Sequence, residues 1–218
     1  MTSPVHVAAI TPADEHAHRA AAIRGSQYTG ARLFVALSTM AFGGGVFSYF
    51  YLRSLNGNGL WRAPGQKPSP FIAISVLVLT VGACSLYYWS SRRLGRTGNT
   101  STDWRVSSAA AVLMLVLAAA LQFWGLSRLP FFPGSSGYAS VYVAVMPLFA
   151  AWLLVGAVWI EMLLARSLRV VWITAPVGEN VNSAEAATFS GSLAGSRLFA
   201  VFLGLLAIVL YILFSVLH

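Results

Sequence analysis

The sequence predicts an all-α integral membrane bundle of five transmembrane helices, on three observations. Of 218 residues, 57% are hydrophobic and only 9% charged, and the mean hydropathy is +0.72, outside the range of soluble domains of this size. Five uncharged stretches are each long enough to cross a hydrocarbon core of about 30 Å, which takes roughly 20 helical residues. These stretches are continuously apolar, whereas a barrel strand alternates over about ten residues. They run over residues 33–52, 71–91, 106–127, 137–160 and 198–217, the fourth continuing toward residue 165.

Residues 1–30 hold Pro4, Pro12, three histidines and scattered charges without apolar periodicity, and are expected to form a polar tail before a single transmembrane domain over 31–218. Basic residues do not precede an apolar core there, so the tail does not read as a signal peptide. The loops follow as Arg53–Pro70, Arg92–Arg105, Arg128–Ser136 and Arg166–Arg197. In the last, Ser183–Ala187 is expected to form a short surface helix capped by Ser183. No internal repeat points to inverted transporter halves.

The net charge of +8 comes from 14 Lys and Arg against 6 Asp and Glu. The cations lie between apolar runs and do not gather on one exposed face, so a nucleic-acid partner is not expected. With an odd number of spans the termini fall on opposite sides. The side of the N-terminal tail carries ten cations (Arg19, Arg24, Arg32, Arg92, Arg93, Arg96, Arg105, Arg166, Arg169 and Arg197), and the other carries Arg53, Arg62, Lys67 and Arg128. This asymmetry predicts a cytoplasmic N-terminus and an external His218. Tyr49, Tyr51, Trp61, Tyr87, Tyr88, Trp89, Trp104, Trp124 and Trp172 gather near span ends, where rings with a polar tip are favoured.

Few residues offer chemistry. The single Cys84 excludes an intrachain disulfide and reads as a core residue. His6, His16, His18 and His218 all lie outside the apolar stretches, so no haem or redox metal is expected within this chain. No nucleophile stands beside a base, and no carboxylate pair or phosphate-binding loop is present. Glu161 is the one ionisable residue between two apolar runs. At 1.5 Å per residue it sits about 8 Å from the end of its span, close enough to snorkel as an interfacial anchor; the alternative is a proton-collecting or subunit-contacting carboxylate. Gln122 is expected to make an interhelical hydrogen bond. Gly43-Gly44-Gly45, after Ser38, Thr39 and Ala41, makes a small-residue face for close approach of a helix or lipid chain. Pro147 removes a backbone bond inside the fourth span. The spacing Gly191-Ser192-Leu193-Ala194-Gly195 matches a helix-pairing motif, but it precedes the fifth apolar stretch and is expected to play no such part.

Two stretches carry a resemblance. Arg32-Leu33-Phe34-Val35-Ala36-Leu37-Ser38-Thr39-Met40-Ala41-Phe42-Gly43-Gly44, continuing to Tyr49-Phe50-Tyr51-Leu52-Arg53 with Trp61 and Pro64 beyond, resembles the first conserved helix of haem–copper oxidase subunit III. Gly134-Ser135-Ser136-Gly137-Tyr138-Ala139-Ser140-Val141, after Gln122-Phe123-Trp124, resembles that family's penultimate-helix entry. The likeness covers roughly residues 30–217 and is to the short, five-helix bacterial form. Thr39 stands where the family carries a glutamate, and Phe149 and Trp152 stand where it carries two histidines, marking a divergent branch.

The resemblance implies a subunit without redox centres in the bacterial plasma membrane. It would dock on the catalytic oxidase subunit I beside other respiratory-complex subunits, hold phospholipids in a cleft, and support sustained proton-coupled oxygen reduction. Haem and copper are then expected in the partner subunits. Ala41, Gly44, Gly45 and Ser48 would line the lipid cleft or subunit contact, and Arg32, Arg92 and Arg93 would meet lipid headgroups. The alternatives are a like subunit beside a nitric-oxide reductase and an independent small permease.

Overall fold

The computed structural model of the chain describes residues 12–56, 61–97, 101–168 and 183–217. They form α1 (Pro12–Leu55), α2 (Pro70–Thr97), α3 (Thr102–Ser127), α4 (Gly137–Ser167) and α5 (Ser183–Tyr211), the last ending in a π-helical turn over Ile212–Val216. Each helix contains a stretch long and apolar enough to cross a membrane. The chain is a multi-pass membrane protein.

Exposed side chains agree with a lipid surround. Leu33, Leu37, Met40 and Phe47 on α1, Phe71 and Val78 on α2 and Leu113 on α3 are all more than 60% exposed, an arrangement that water would penalise and hydrocarbon does not.

The helices close into a ring in the order α1, α5, α2, α3, α4 and back to α1, with α4 also touching α5 across the centre. Alternating chain direction makes α1 and α5 parallel neighbours, because four spans return the chain to the side from which it started before α5 begins. Side-chain pairs confirm it: Gly195 lies against Ala31 and Leu217 against Tyr49, so both helices run the same way.

Two boundaries differ from the sequence reading. The first helix begins at Pro12, where proline's missing N–H costs nothing. Most of the expected tail is therefore helical, and its 44 residues span about 66 Å, twice the hydrocarbon thickness. The fifth helix begins at Ser183, so Ser183–Ala187 is its first turn and not a separate surface helix. The Ser183 side chain, expected as a cap, lies outside the described residues, as do His6, Arg169, Trp172, His218 and Gly57–Gly59.

That longer fifth helix reverses the reading of its glycine pair. A Cβ on Gly195 would stand 2.6 Å from the Ala31 Cβ, and one on Gly191 would stand 2.9 Å from the Arg24 carbonyl. These are approaches of α5 to α1, to the Ala31 side chain and to the Arg24 backbone, that glycine permits. Gly191 and Gly195 are the helix-pairing motif of this fold, four residues apart on one face. By contrast, a Cβ on Gly43 or Gly44 would have nothing among the described residues within 4 Å, whereas one on Gly45 would stand 2.7 Å from Val145 Cγ2.

Polar bonds pin the seams. Trp152 Nε1 donates to Ser38 Oγ (2.8 Å), joining α4 to α1, and Trp159 Nε1 donates to Ser192 Oγ (3.2 Å), joining α4 to α5. Ser196 Oγ–H is spent on the Leu193 carbonyl, so in the buried 2.7 Å contact between α2 and α5 it is Tyr87 that donates to Ser196. Arg105 Nη2 donates to the Ser167 carbonyl at the C-terminus of α4 (2.7 Å), where a cation also meets the negative end of the helix dipole. α4 itself runs unbroken through Pro147.

The end of the bundle opposite the arginine-rich one is closed by aromatic rings. The π turn leaves the last carbonyls of α5 without helical partners; Tyr138 Oη donates to the Phe214 carbonyl (3.0 Å) and Tyr49 Oη to that of Leu217 (2.8 Å). Trp61, from the α1–α2 connection, lies edge-on against Tyr49 (5.0 Å) and Tyr138 (6.1 Å), fitting because Gly137 has no Cβ to meet it. Arg62 covers the Tyr138 ring at 4.5 Å. The aromatic residues thus divide: Tyr49, Tyr87, Trp61 and Trp104 are core residues, whereas Tyr51, Trp89 and Trp124 are more than half exposed, as a membrane-interface belt requires.

Gly195→Leu is expected to lower the thermal stability of the detergent-solubilised chain by roughly 1–3 kcal/mol, because α1 must be pushed away from α5. Gly44→Leu, facing open space, should leave the stability within about 0.5 kcal/mol of the wild type. Circular dichroism melts of the two variants check the pair.

Candidate functional site

Two surfaces stand out: the outer face of α1 and a basic cleft at the arginine-rich end. α1 buries one narrow stripe, Ala31, Ser38, Phe42 and Tyr49, whose steps of seven and four residues repeat the helical period. Phe34 stacks on Trp152 (5.9 Å) and Phe42 meets the same indole edge-on (5.9 Å), so the aromatic residues of the first motif grip α4.

No described residue packs over the opposite side of that segment. Thr39, Ala41, Gly43 and Gly44 are exposed, a patch of small residues between the exposed Leu37, Met40 and Phe47 that a helix or acyl chain can approach closely. Thr39 closes its hydroxyl onto the Val35 carbonyl (2.8 Å), which leaves the surface apolar. Of the expected contact residues, Ala41 and Gly44 lie on this outer face and Ser48 at its margin. Gly45 turns inward against Val145, one residue and about 100° further round the helix, and so falls outside the face.

The cleft lies where α1, α2 and α5 meet and has a volume of about 630 Å3. Arg24 and Tyr28 of α1, Tyr88 of α2, and Arg197, Leu198 and Val201 of α5 line it. Two guanidiniums at its rim, two phenols, and an apolar wall toward the membrane interior match an anionic phospholipid, charge outward and chain inward.

Arg32 stands one turn beyond Tyr28, its guanidinium 5.5 Å from that ring. Arg92 is exposed on α2, and Arg93 lines a different groove with Asp103. The three expected headgroup arginines therefore do not share one site. Arg24 and Arg197 were not expected as site residues. The i, i+4, i+8 spacing of Arg24, Tyr28 and Arg32 is the signal for Arg24, visible once α1 is known to extend that far back.

Gln122 is buried and hydrogen-bonded to the Tyr142 hydroxyl, joining α3 to α4. Both line a crevice of about 30 Å3 running in from Pro68 and Ser69, room for one or two waters. Glu161 is exposed near the end of α4, with no ion pair among the described residues. Cys84 is a free, buried thiol against α5. No group of three or more histidine, cysteine, aspartate or glutamate side chains is placed to hold a metal ion among the described residues. No protein-family model and no curated protein matches the chain.

Gln122→Leu and Tyr142→Phe are each expected to cost about 0.6–1.7 kcal/mol of unfolding free energy, the range for interhelical hydrogen bonds in membranes. The double variant should cost clearly less than the two added together, because both remove the same bond. Unfolding curves in mixed micelles check the cycle.

Proposed function

We propose that this chain is a non-catalytic accessory subunit, of the subunit III type, in a bacterial membrane haem–copper oxidase complex. It docks on the catalytic subunit, retains lipids at the contact, and sustains proton-coupled oxygen reduction that takes place in its partners. The observation that carries this reading is the unpartnered face of α1 around Gly44. It falls on the stretch whose sequence resembles the family's first conserved helix, and Gly43 and Gly44 pack against none of the described residues.

The rest of the bundle is fitted to the role. A face can position a neighbouring subunit only if its own backbone is fixed. Here the Gly191 and Gly195 approach, the Trp152–Ser38 bond and the Phe34–Trp152–Phe42 stack hold α1 from behind. The cleft beside it supplies anionic lipid at the same helix. Haem and copper sit in the partner subunits on this reading, and this chain contributes geometry and lipid. Thr39 in place of the family's glutamate bonds its own backbone, so a proton-collecting carboxylate on the first helix is replaced here by an apolar docking surface. Glu161, exposed at the interface, serves as an anchor.

The orientation follows from the ten-to-four cation asymmetry: the arginine-rich end faces the cytoplasm and the Trp61 cap faces outward. Single cysteines in a Cys84→Ser background test it. Lys67→Cys, exposed beside the cap, should label in intact cells and Ser3→Cys should not; the reverse pattern inverts the orientation.

Removal of the subunit is expected to spare the haems of the complex. Depleted complex should begin turnover at a substantial fraction of the normal rate and then inactivate progressively, more slowly with added phospholipid. Gly44→Leu should reproduce that decay by loosening association, and Glu161→Gln should leave the steady-state rate nearly unchanged. Oxygen-electrode traces read all three. Depleted complex that holds its full rate, or a chain that moves solute alone in liposomes, contradicts the proposal and favours the permease alternative.

A further inference from the structure

The arginine-rich end carries a second groove, between α2 and α3, with a volume of about 560 Å3. Its chemistry differs from that of the cleft beside α1. The first cleft is lined by two cations and no acid. The second sets Arg93 of α2 and Asp103 of α3 on its lining, and neither side chain has an ion-pair partner among the described residues. Two opposite charges in one groove that do not bridge leave room for an occupant carrying the complementary pair.

Two further observations narrow the occupant. Trp104 lines the groove at 2% exposure, held edge-on against Phe189 (6.0 Å), and its Nε1–H has no acceptor among the described residues. A buried donor without a partner costs about 1–3 kcal/mol unless something outside the chain supplies an oxygen. Ser101, at the N-cap of α3, does not use its hydroxyl to cap the helix, although it too lines the groove. Arg93, Ser101 and Trp104 thus offer donors for phosphate or ester oxygens, and α3 adds the positive end of its dipole. Asp103 offers an acceptor for an ammonium. Trp89 (69% exposed) and Leu86 (38% exposed) continue the lining as apolar surface turned to lipid.

We propose that this groove is a binding site for a zwitterionic aminophospholipid, such as phosphatidylethanolamine. Its phosphate meets Arg93 and the start of α3, its ammonium meets the Asp103 carboxylate, and its acyl chains lie along Leu86 and Trp89. A phosphatidylglycerol headgroup fits less well, since it brings no cation to Asp103. A choline headgroup brings charge without N–H donors, so Asp103 gains less from it. The inference holds whichever complex the chain joins, because it rests on the α2–α3 groove alone.

Native mass spectrometry of the delipidated full chain tests it. Phosphatidylethanolamine, phosphatidylglycerol and phosphatidylcholine of identical acyl chains are supplied in equal amounts. Asp103→Asn is expected to weaken phosphatidylethanolamine retention roughly tenfold, the order of one charge-assisted contact, and to leave phosphatidylglycerol on the basic cleft unchanged. Asp103→Glu should restore it. Arg93→Gln should weaken it similarly, and Arg24→Gln should not. Both altered side chains are exposed, so the melting midpoint should stay at the wild-type value. Brominated phosphatidylethanolamine should quench the wild type more than Trp89→Phe. Equal phosphatidylethanolamine retention by wild type, Asp103→Asn and Arg93→Gln overturns the proposal, as does a wild type that retains the three lipids alike.

Discussion

The close approach of α1 to α5 at Gly191 and Gly195 is the constraint on which the rest of the structure depends. Inside hydrocarbon no hydrophobic force draws one apolar helix to another, so association rests on packing at small residues and on a few polar bonds. At this seam the α1 backbone and Ala31 come so near that a single added Cβ collides. Fixing α1 there fixes its rotation. Ala31, Ser38, Phe42 and Tyr49 then turn inward, and Gly43 and Gly44 are left on the outside with the surface proposed for docking.

The two ends of the bundle are built differently, and the difference follows from how each satisfies its helix termini. At one end Tyr49 and Tyr138 take up the carbonyls freed by the π turn, with Trp61 and Arg62 laid over them, which leaves a closed, rigid plug. At the other end guanidiniums and the start of α3 face outward, and two grooves open between helices. An arginine-rich, grooved end suits an anionic lipid surface. A plugged end suits the docking role proposed above.

The five spans were legible in the sequence because uncharged runs of that length admit no other economical structure in a bilayer. Helix ends were not. α1 and α5 continue well past the membrane on polar residues, and hydropathy is silent about a helix that leaves hydrocarbon. Missing the start of α5 placed Gly191 and Gly195 outside the span and hid the motif that matters most. Helix rotation was equally out of reach: Gly44 and Gly45 differ by one residue, yet one faces outward and the other meets Val145. Likewise Tyr49 and Tyr51, both near a span end, divide into core and rim. The candidate site was half legible, since Ala41 and Gly44 were singled out from the sequence whereas Arg24 and Arg197 belong to a cleft that only three-dimensional packing assembles.

The most direct test of the account is the optical spectrum of what accompanies this chain out of its native membrane. Affinity-tagged protein is purified in mild detergent and its reduced-minus-oxidised difference spectrum recorded. The account predicts haem bands in stoichiometric amount, lost when the chain is stripped from its partners in harsher detergent. A purified chain that brings no haem-bearing partner, or that keeps a stoichiometric Soret band once separated from every other subunit, contradicts it.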